Sequence, residues 1–218
     1  LTFVECLVEF NPGLSHITEE IIINAADNAA RKKNNMTSIA IEIDKQSGII
    51  SVTNDGASIS AGKCKVKGYT HLYVGEFIFG EFLAGANAHG RSKKTTGGGR
   101  NSTGAKATNV FSKFFRVQFY DASQKLFFDM QWNNNKDPKA NGKVFVGTPP
   151  KKFNKMCAKG DWTRVTFLPD YVRFGYASNK LSDDMYEVLR SMVWNLAGTV
   201  RGDVVVSFNK KKIPIRTF

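Results

Sequence analysis

Cysteine and histidine are scarce, with three of each in 218 residues. Cys6, Cys64 and Cys157 lie far apart and share no motif with a histidine. That excludes a zinc site built on paired cysteines and a disulfide framework, and it points to a reducing compartment. Acidic residues are also in deficit, 19 Asp+Glu against 31 Lys+Arg. The net charge of +12 directs attention to polyanions such as nucleotide, nucleic acid or an anionic membrane surface. A lysine-rich solvated surface is the competing account. No apolar run reaches the length of a membrane span and nothing at the start reads as a signal peptide, so no membrane-inserted role is expected. The first residue is Leu1, which marks the chain as an expected fragment of a longer protein. Internal repeats and low-complexity linkers are missing as well.

What is present suffices for a substantial core: 42% of residues are apolar, and 17 are phenylalanine. The pattern predicts a helix over about 17–33, with Thr18 near its start. "TSIAIEID" and "IISVTN" alternate as strands around the turn "KQSG". "EFIFGEFLAGA", from Glu76, reads as a helix, and "ATNVFSKFF" as a shorter one. Between them lies "NAHGRSKKTTGGGRNSTGAK", polar, basic and glycine-rich. "FRVQFYDA" and "KLFFDMQW" predict a hairpin about Ser123 and Gln124, and "WTRVTFLPD" a further strand. "SDDMYEVLRSMVWNLAGTV" is amphipathic, with Ser182 as cap and Met185, Val188, Leu189, Met192 and Leu196 on one face. "DVVVSFNKKKIPI" predicts a terminal hairpin. Together these give one domain over residues 1–218, a mixed sandwich of strands and helices with several antiparallel connections. It lacks the βαβ alternation of a dinucleotide-binding fold.

The stretch "EEIIINAADNAA" departs from ordinary helix composition. Glu20, Asn24, Asp27 and Asn28 recur at i, i+4, i+7 and i+8 and so share one stripe of the helix. Solvated faces usually carry Lys, Glu, Arg and Gln, whereas Asn and Asp cost helix propensity. Taken alone, such a stripe suits a polar pocket and an ordinary solvated face equally. In "SVTNDGAS" a strand ends at Asn54-Asp55-Gly56, where a polar side chain beside a glycine turn can meet a flat heteroaromatic edge. Taken alone it is equally a plain turn. In "TTGGGRNSTGAKATNVFS", glycines running into a helix start offer backbone N–H groups to phosphate, and Arg100 and Lys106 add mobile positive charge. It is not a Walker A loop, because no hydroxyl residue comes directly after Lys106 and no strand leads in. Taken alone it is a surface loop.

In order and spacing, "EIIINAADN", "NDG" and "GGRNSTGAK" resemble the ATP-binding motifs of the GHKL superfamily, and most closely those of the ATPase domain of eukaryotic type IIA DNA topoisomerases. "YVGEFIFG", "RVTFLPD" and "NKKKIPIRTF" extend the likeness over nearly the whole chain. The resemblance implies an α+β GHKL (Bergerat) fold: a mixed sheet with helices packed on one face, forming the nucleotide pocket. It implies ATP and Mg2+ as ligands, with Glu20 as the general base that activates water and Asn24 as the magnesium ligand. Asn28 is implied to support the nucleotide, and Asn54 with Gly56 to contact adenine. Asn87 and the lid Gly99, Arg100, Asn101, Ser102, Thr103, Gly104, Ala105 and Lys106 are implied to surround the phosphates.

The family pattern is broken at four places. Ser58 replaces the second turn glycine, Ser102-Thr103 a Gly-Tyr pair, Gly85-Ala86 a serine pair and Gly75 a proline. A serine at a glycine position raises the expectation of backbone strain at Ser58 and a weakened adenine pocket. For the whole enzyme the resemblance implies a nuclear or organellar protein that closes a dimeric gate on DNA and passes one duplex through another. The transducer domain that follows in the family, with its ATP-contacting lysine, is expected to lie outside these residues. Two other readings fit the residues: a non-hydrolysing ATP-operated clamp, and a MutL- or Hsp90-like ATPase.

Overall fold

The computed structural model describes residues 7–31, 35–81, 103–178 and 180–215. Helix α1 spans Pro12–Ala30. Strands β1 (Ser38–Ile43) and β2 (Ile50–Asp55) follow, then helices α2 (Val74–Gly80) and α3 (Gly104–Val110). Strands β3 (Ser112–Asp121), β4 (Leu126–Asn133) and β5 (Phe145–Gly147) precede α4 (Asn154–Cys157) and β6 (Trp162–Pro169). Helix α5 (Asp183–Thr199), β7 (Val205–Phe208) and β8 (Lys211–Lys212) complete the order.

The eight strands of the described residues form one sheet, in the order β5-β4-β3-β6-β2-β1-β7-β8. Only β1 and β7 run parallel; the other neighbours are antiparallel. Period-two alternation gives this sheet a dry face and a wet one. Ile39 and Ile41, Val52, Phe115 and Val117, and Phe167 are buried on the dry face and join one cluster with Leu14, Ile21, Met185 and Leu189 of α1 and α5. Helices α1, α2, α3 and α5 all contact strands. On the other face Ser51, Arg116, Gln118, Gln131, Arg164 and Thr166 line an open polar trough of about 450 Å³. There Arg116 donates to both carboxylate oxygens of Asp129, at 2.8 and 2.6 Å.

The helix limits differ from the sequence expectation in instructive ways. Helix α1 begins at Pro12, where Asn11 accepts from Leu14 N–H at 3.0 Å and a proline fills the first turn. Thr18 is fully buried in mid-helix and donates to Leu14 O. The predicted helix over "ATNVFSKFF" stops at Val110, because Ser112 onward pairs with β6. The helix start "EFIFG" lies in α2, which ends at Gly80 with Glu81 as an extended cap, short of the predicted continuation; residues 82–86 of that expectation fall outside the described residues. Helix α5 is capped as expected, with Ser182 accepting from Met185 N–H at 3.2 Å. Strand β5 and the turn of helix over 151–157 were not anticipated. Cys64 and Cys157 are free.

Gly75 has a packing reason. A Cβ there would meet Phe128 Cζ at 2.6 Å, and Phe128 is itself fixed by stacking on Phe119, with ring centroids 4.5 Å apart. Gly75→Ala is therefore expected to cost about 1–3 kcal/mol by overpacking. Urea denaturation in a double-mutant cycle checks this, and the cost should shrink in a Phe128→Leu background.

Candidate functional site

The polar stripe of α1 is assembled against the ends of two other elements. Glu20 is half-buried, with His16 Nε2 3.6 Å from its Oε1 one turn earlier. Its carboxylate rests on the backbone of Gly104, at the start of α3, so closely that a Cβ at 104 would land on it. Glycine is thus required for the acid and the end of the glycine-rich segment to meet. The two helices are tied by Thr108, whose hydroxyl donates to Ile17 O at 2.8 Å. Asn109 extends the connection to α2 by donating to Phe79 O at 3.1 Å. Asn24 is exposed one turn beyond Glu20. Asn28 is half-buried and donates to Ala57 O at 3.1 Å, which clips α1 to the turn after β2.

That turn is built by a division of labour between two neighbours. Asp55 accepts from the backbone N–H groups of Thr37 and Ser38, both at 2.8 Å, and from both their hydroxyls. It is occupied in holding the start of β1. Asn54, one residue earlier, falls on the dry face with Val52 and is 7% exposed, its amide donating to Asp55 O at 2.9 Å. Gly56 has φ +85°, a conformation that a side chain resists, so glycine is needed there. Ser58 is not among the positive-φ residues, so the strain expected from its replacement of a glycine is absent. Its N–H faces Asp161 Oδ2 at 3.3 Å. Asp161 Oδ1 also accepts from Ala122 N–H at 2.7 Å, joining the turn to the β3–β4 hairpin.

Of the other expected site residues, Thr103 is exposed and Ala105 buried. Lys106 is 1% exposed, not a mobile charge. Burial pushes its pKa below the ordinary lysine value; Lys136 acts in the same sense, and Glu81 opposes both. Asn87, Gly99, Arg100, Asn101 and Ser102 lie outside the described residues. The structure therefore brings together Glu20 with Gly104 and Asn28 with the Asn54–Gly56 turn. Lys106 is buried within α3, with Glu81 and Lys136 near enough to act on its charge.

Thr163 escaped the sequence reading. It faces Asn54 directly across the β2–β6 ladder and is half-buried on the dry face, in step with Val165 and Phe167. A signal did exist. In both strands the inward parity is apolar except at the end beside the turn, where Asn54 and Thr163 break it. Two polar groups on an otherwise apolar floor, beneath a helix stripe of acid and amides, make a cleft suited to a flat polar ligand with a charged tail.

No protein-family profile matches the chain. It is 39% identical over 212 residues to DNA topoisomerase 2 of Penicillium chrysogenum, and 39% identical over 211 residues to human DNA topoisomerase 2-beta. Each alignment takes in 97% of this chain, which spans about 12% of the length of these curated relatives. Among solved structures it superposes on the ATPase region of Saccharomyces cerevisiae topoisomerase II with a TM-score of 0.85 and 33% identity, over 99% of this chain and 52% of that one. The ATPase and transducer domains of DNA topoisomerase II from Balamuthia mandrillaris give a TM-score of 0.85 and 32% identity, over 97% and 50%.

The turn makes its own prediction. Asp55→Ala removes the acceptor for two backbone N–H groups and should cost about 1.5–3 kcal/mol, the range for hydrogen bonds to a charged group. An unchanged urea midpoint would show that the turn holds itself without the carboxylate.

Proposed function

The chain belongs to the ATPase region of the type II DNA topoisomerases, and on that premise we propose that it binds ATP between α1 and the β2 turn and hydrolyses it. The observation that carries this reading is the contact of Glu20 with Gly104. A half-buried carboxylate on the polar stripe is held where the glycine-rich segment enters α3. Phosphoryl transfer needs little from a protein beyond positioning and charge neutralisation, so one water-orienting carboxylate in that place is adequate chemistry. Asn54 and Gly56, with Thr163 beside them, form the floor for the adenine edge. Asn28 keeps the turn against α1. Gly99, Arg100, Asn101, Ser102, Thr103, Gly104 and Ala105 are assigned to the phosphate lid and Asn87 to the nucleotide pocket; Lys106, buried in this arrangement, is given no phosphate contact.

The donor set fits magnesium as the accompanying ion. Among the described residues no three His, Cys, Asp or Glu side chains converge. An Asn24 amide oxygen supplemented by phosphate oxygens and water suits an ion that retains much of its hydration. When bound, it neutralises phosphate charge. Within a longer protein, the domain's role is to couple ATP binding to dimeric gate closure on DNA during strand passage, in the nucleus or in an organelle. Residues 1–218 are assigned to the GHKL ATP-binding domain.

Glu20→Gln should leave nucleotide binding largely intact and slow hydrolysis by about 10² to 10⁴, the usual contribution of general-base catalysis. Gly104→Ala should lower turnover by about 10-fold to 100-fold by displacing the same carboxylate. A phosphate-release assay decides both, and equal turnover in Glu20→Gln and parent would leave a non-hydrolysing clamp as the better reading.

Asn24→Ala is expected to weaken only the magnesium-dependent part of binding. Calorimetry with and without magnesium checks this, and identical values for mutant and parent would remove Asn24 as the ligand.

A further inference from the structure

Half of the chain's net charge sits in one short segment. Residues 136–159 contain seven lysines against Asp137 alone, a net +6 of the total +12. The fold gathers this segment at one edge of the sheet, because β5 is the terminal strand and pairs only with β4. Beyond β5 the chain forms a turn of helix over 151–157 and packs it on the wet face of the sheet. Phe153 is buried there against Phe127 and Trp162, at centroid distances of 5.1 and 5.3 Å, with Met156 and Cys157 beside it. At helical spacing the outward positions then fall to Lys151, Lys152, Lys155 and Lys159, all exposed. Three apolar residues turned in and four lysines turned out, with only the uncharged Asn154 and Ala158 exposed among them, leave an outer stripe whose charge is all positive.

This stripe is also uncompensated. Some cations elsewhere find carboxylates: Lys45 with Asp183, Lys113 with Asp170, Arg116 with Asp129 and Arg201 with Asp203. Lys139, Lys143, Lys151, Lys152, Lys155 and Lys159 make no ion pair with a described residue. Like charges one helical turn apart, as at Lys151 and Lys155, repel and lower helix stability. Protection of a sheet edge against aggregation does not account for them, since that device places charge on the edge strand. Strand β5, Phe-Val-Gly, has none.

We propose that the lysine stripe 151–159, with Lys139 and Lys143 at the adjoining β4–β5 loop, is a contact surface for the phosphate backbone of duplex DNA. A row of flexible ammonium groups with no hydrogen-bond acceptors offers charge without base readout, the mode that positions a protein on DNA irrespective of sequence. Duplex DNA presents a phosphate about every 1.7 Å of helix axis, so several lysines can be engaged together. The inference rests on the topoisomerase reading only for choosing duplex DNA over other polyanions.

The test compares two fourfold variants of equal charge. One is Lys151→Gln/Lys152→Gln/Lys155→Gln/Lys159→Gln; the control is Lys65→Gln/Lys210→Gln/Lys211→Gln/Lys212→Gln, also exposed lysines. Anisotropy of a fluorescein-labelled duplex of mixed sequence is measured over a range of salt concentrations. The first variant should bind at least about tenfold more weakly at moderate salt, with the log–log salt slope reduced by about 3 to 4, near 0.9 per lost contact. The control should retain most affinity, and both variants should melt like the parent. Equal losses in the two variants overturn the proposal in favour of diffuse charge. Binding to phosphatidylserine vesicles without binding to duplex overturns it as well. ATP binding measured on the same samples separates the two readings. Stripe-dependent DNA binding without ATP binding would remove the ATPase proposal and leave this one. ATP binding with no duplex binding at low salt would do the reverse.

Discussion

Helix α1 has to satisfy two unlike surroundings at once, and the rest of the domain is arranged around that requirement. Its apolar side, with Leu14, Ile17, Ile21, Ala25 and Ala29, is buried in the core. The Glu20–Asn28 stripe cannot enter that core without loss of hydration, which is costly for amides and far more so for a carboxylate. The cleft is the solution. Helix α1 leans on the sheet along one side, and the turn after β2 and the start of α3 rise beside the other without sealing it. Two small contacts hold the opening: Asn28 on Ala57 O and Glu20 on the Gly104 backbone. A larger residue at 104 would wedge the two helices apart.

Much of this was legible in the residues themselves. The hairpin of β1 and β2, the β3–β4 hairpin, β6 and the capped α5 each have clean periodicity and a turn or cap of the expected chemistry. The start of α1 was also written plainly, as Asn11-Pro12, but the threonine nearer the apolar run drew the boundary inward. Strand β5 is three residues long and half exposed, too short for alternation to register. The 151–157 turn was obscured by its lysines, which mask Phe153 as an anchor. Serine at 58 looked strained by analogy with glycine, yet backbone torsions are not encoded in one residue type.

The candidate site was legible in a different sense. A polar stripe in a greasy helix and polar residues at inward strand parity are violations of core patterning, and such violations concentrate where a fold does something besides fold. Glu20, Asn28 and Asn54 could be nominated on that basis. Lys106 could not be placed from sequence, because a lysine next to glycines reads as mobile charge, whereas the third position of α3 turns it inward. Its lowered pKa follows from that position and not from the glycine-rich context.

The single parallel pair in the sheet carries a kinetic consequence. Ser38–Ile41 are matched with Val205–Phe208, so one flank of β1 is covered by a strand distant in sequence. That pairing has high contact order, which slows folding because loop-closure entropy is lost before the contact forms. During synthesis the β1–β2 hairpin emerges with an unpaired edge, and its partner follows about 165 residues later, on the order of ten to thirty seconds at ordinary elongation rates. For that interval Ser38–Ile43, alternating isoleucine and nearly uncharged, is an open template for another strand. Until β7 arrives, that edge is where nascent copies of this domain are expected to pair with one another.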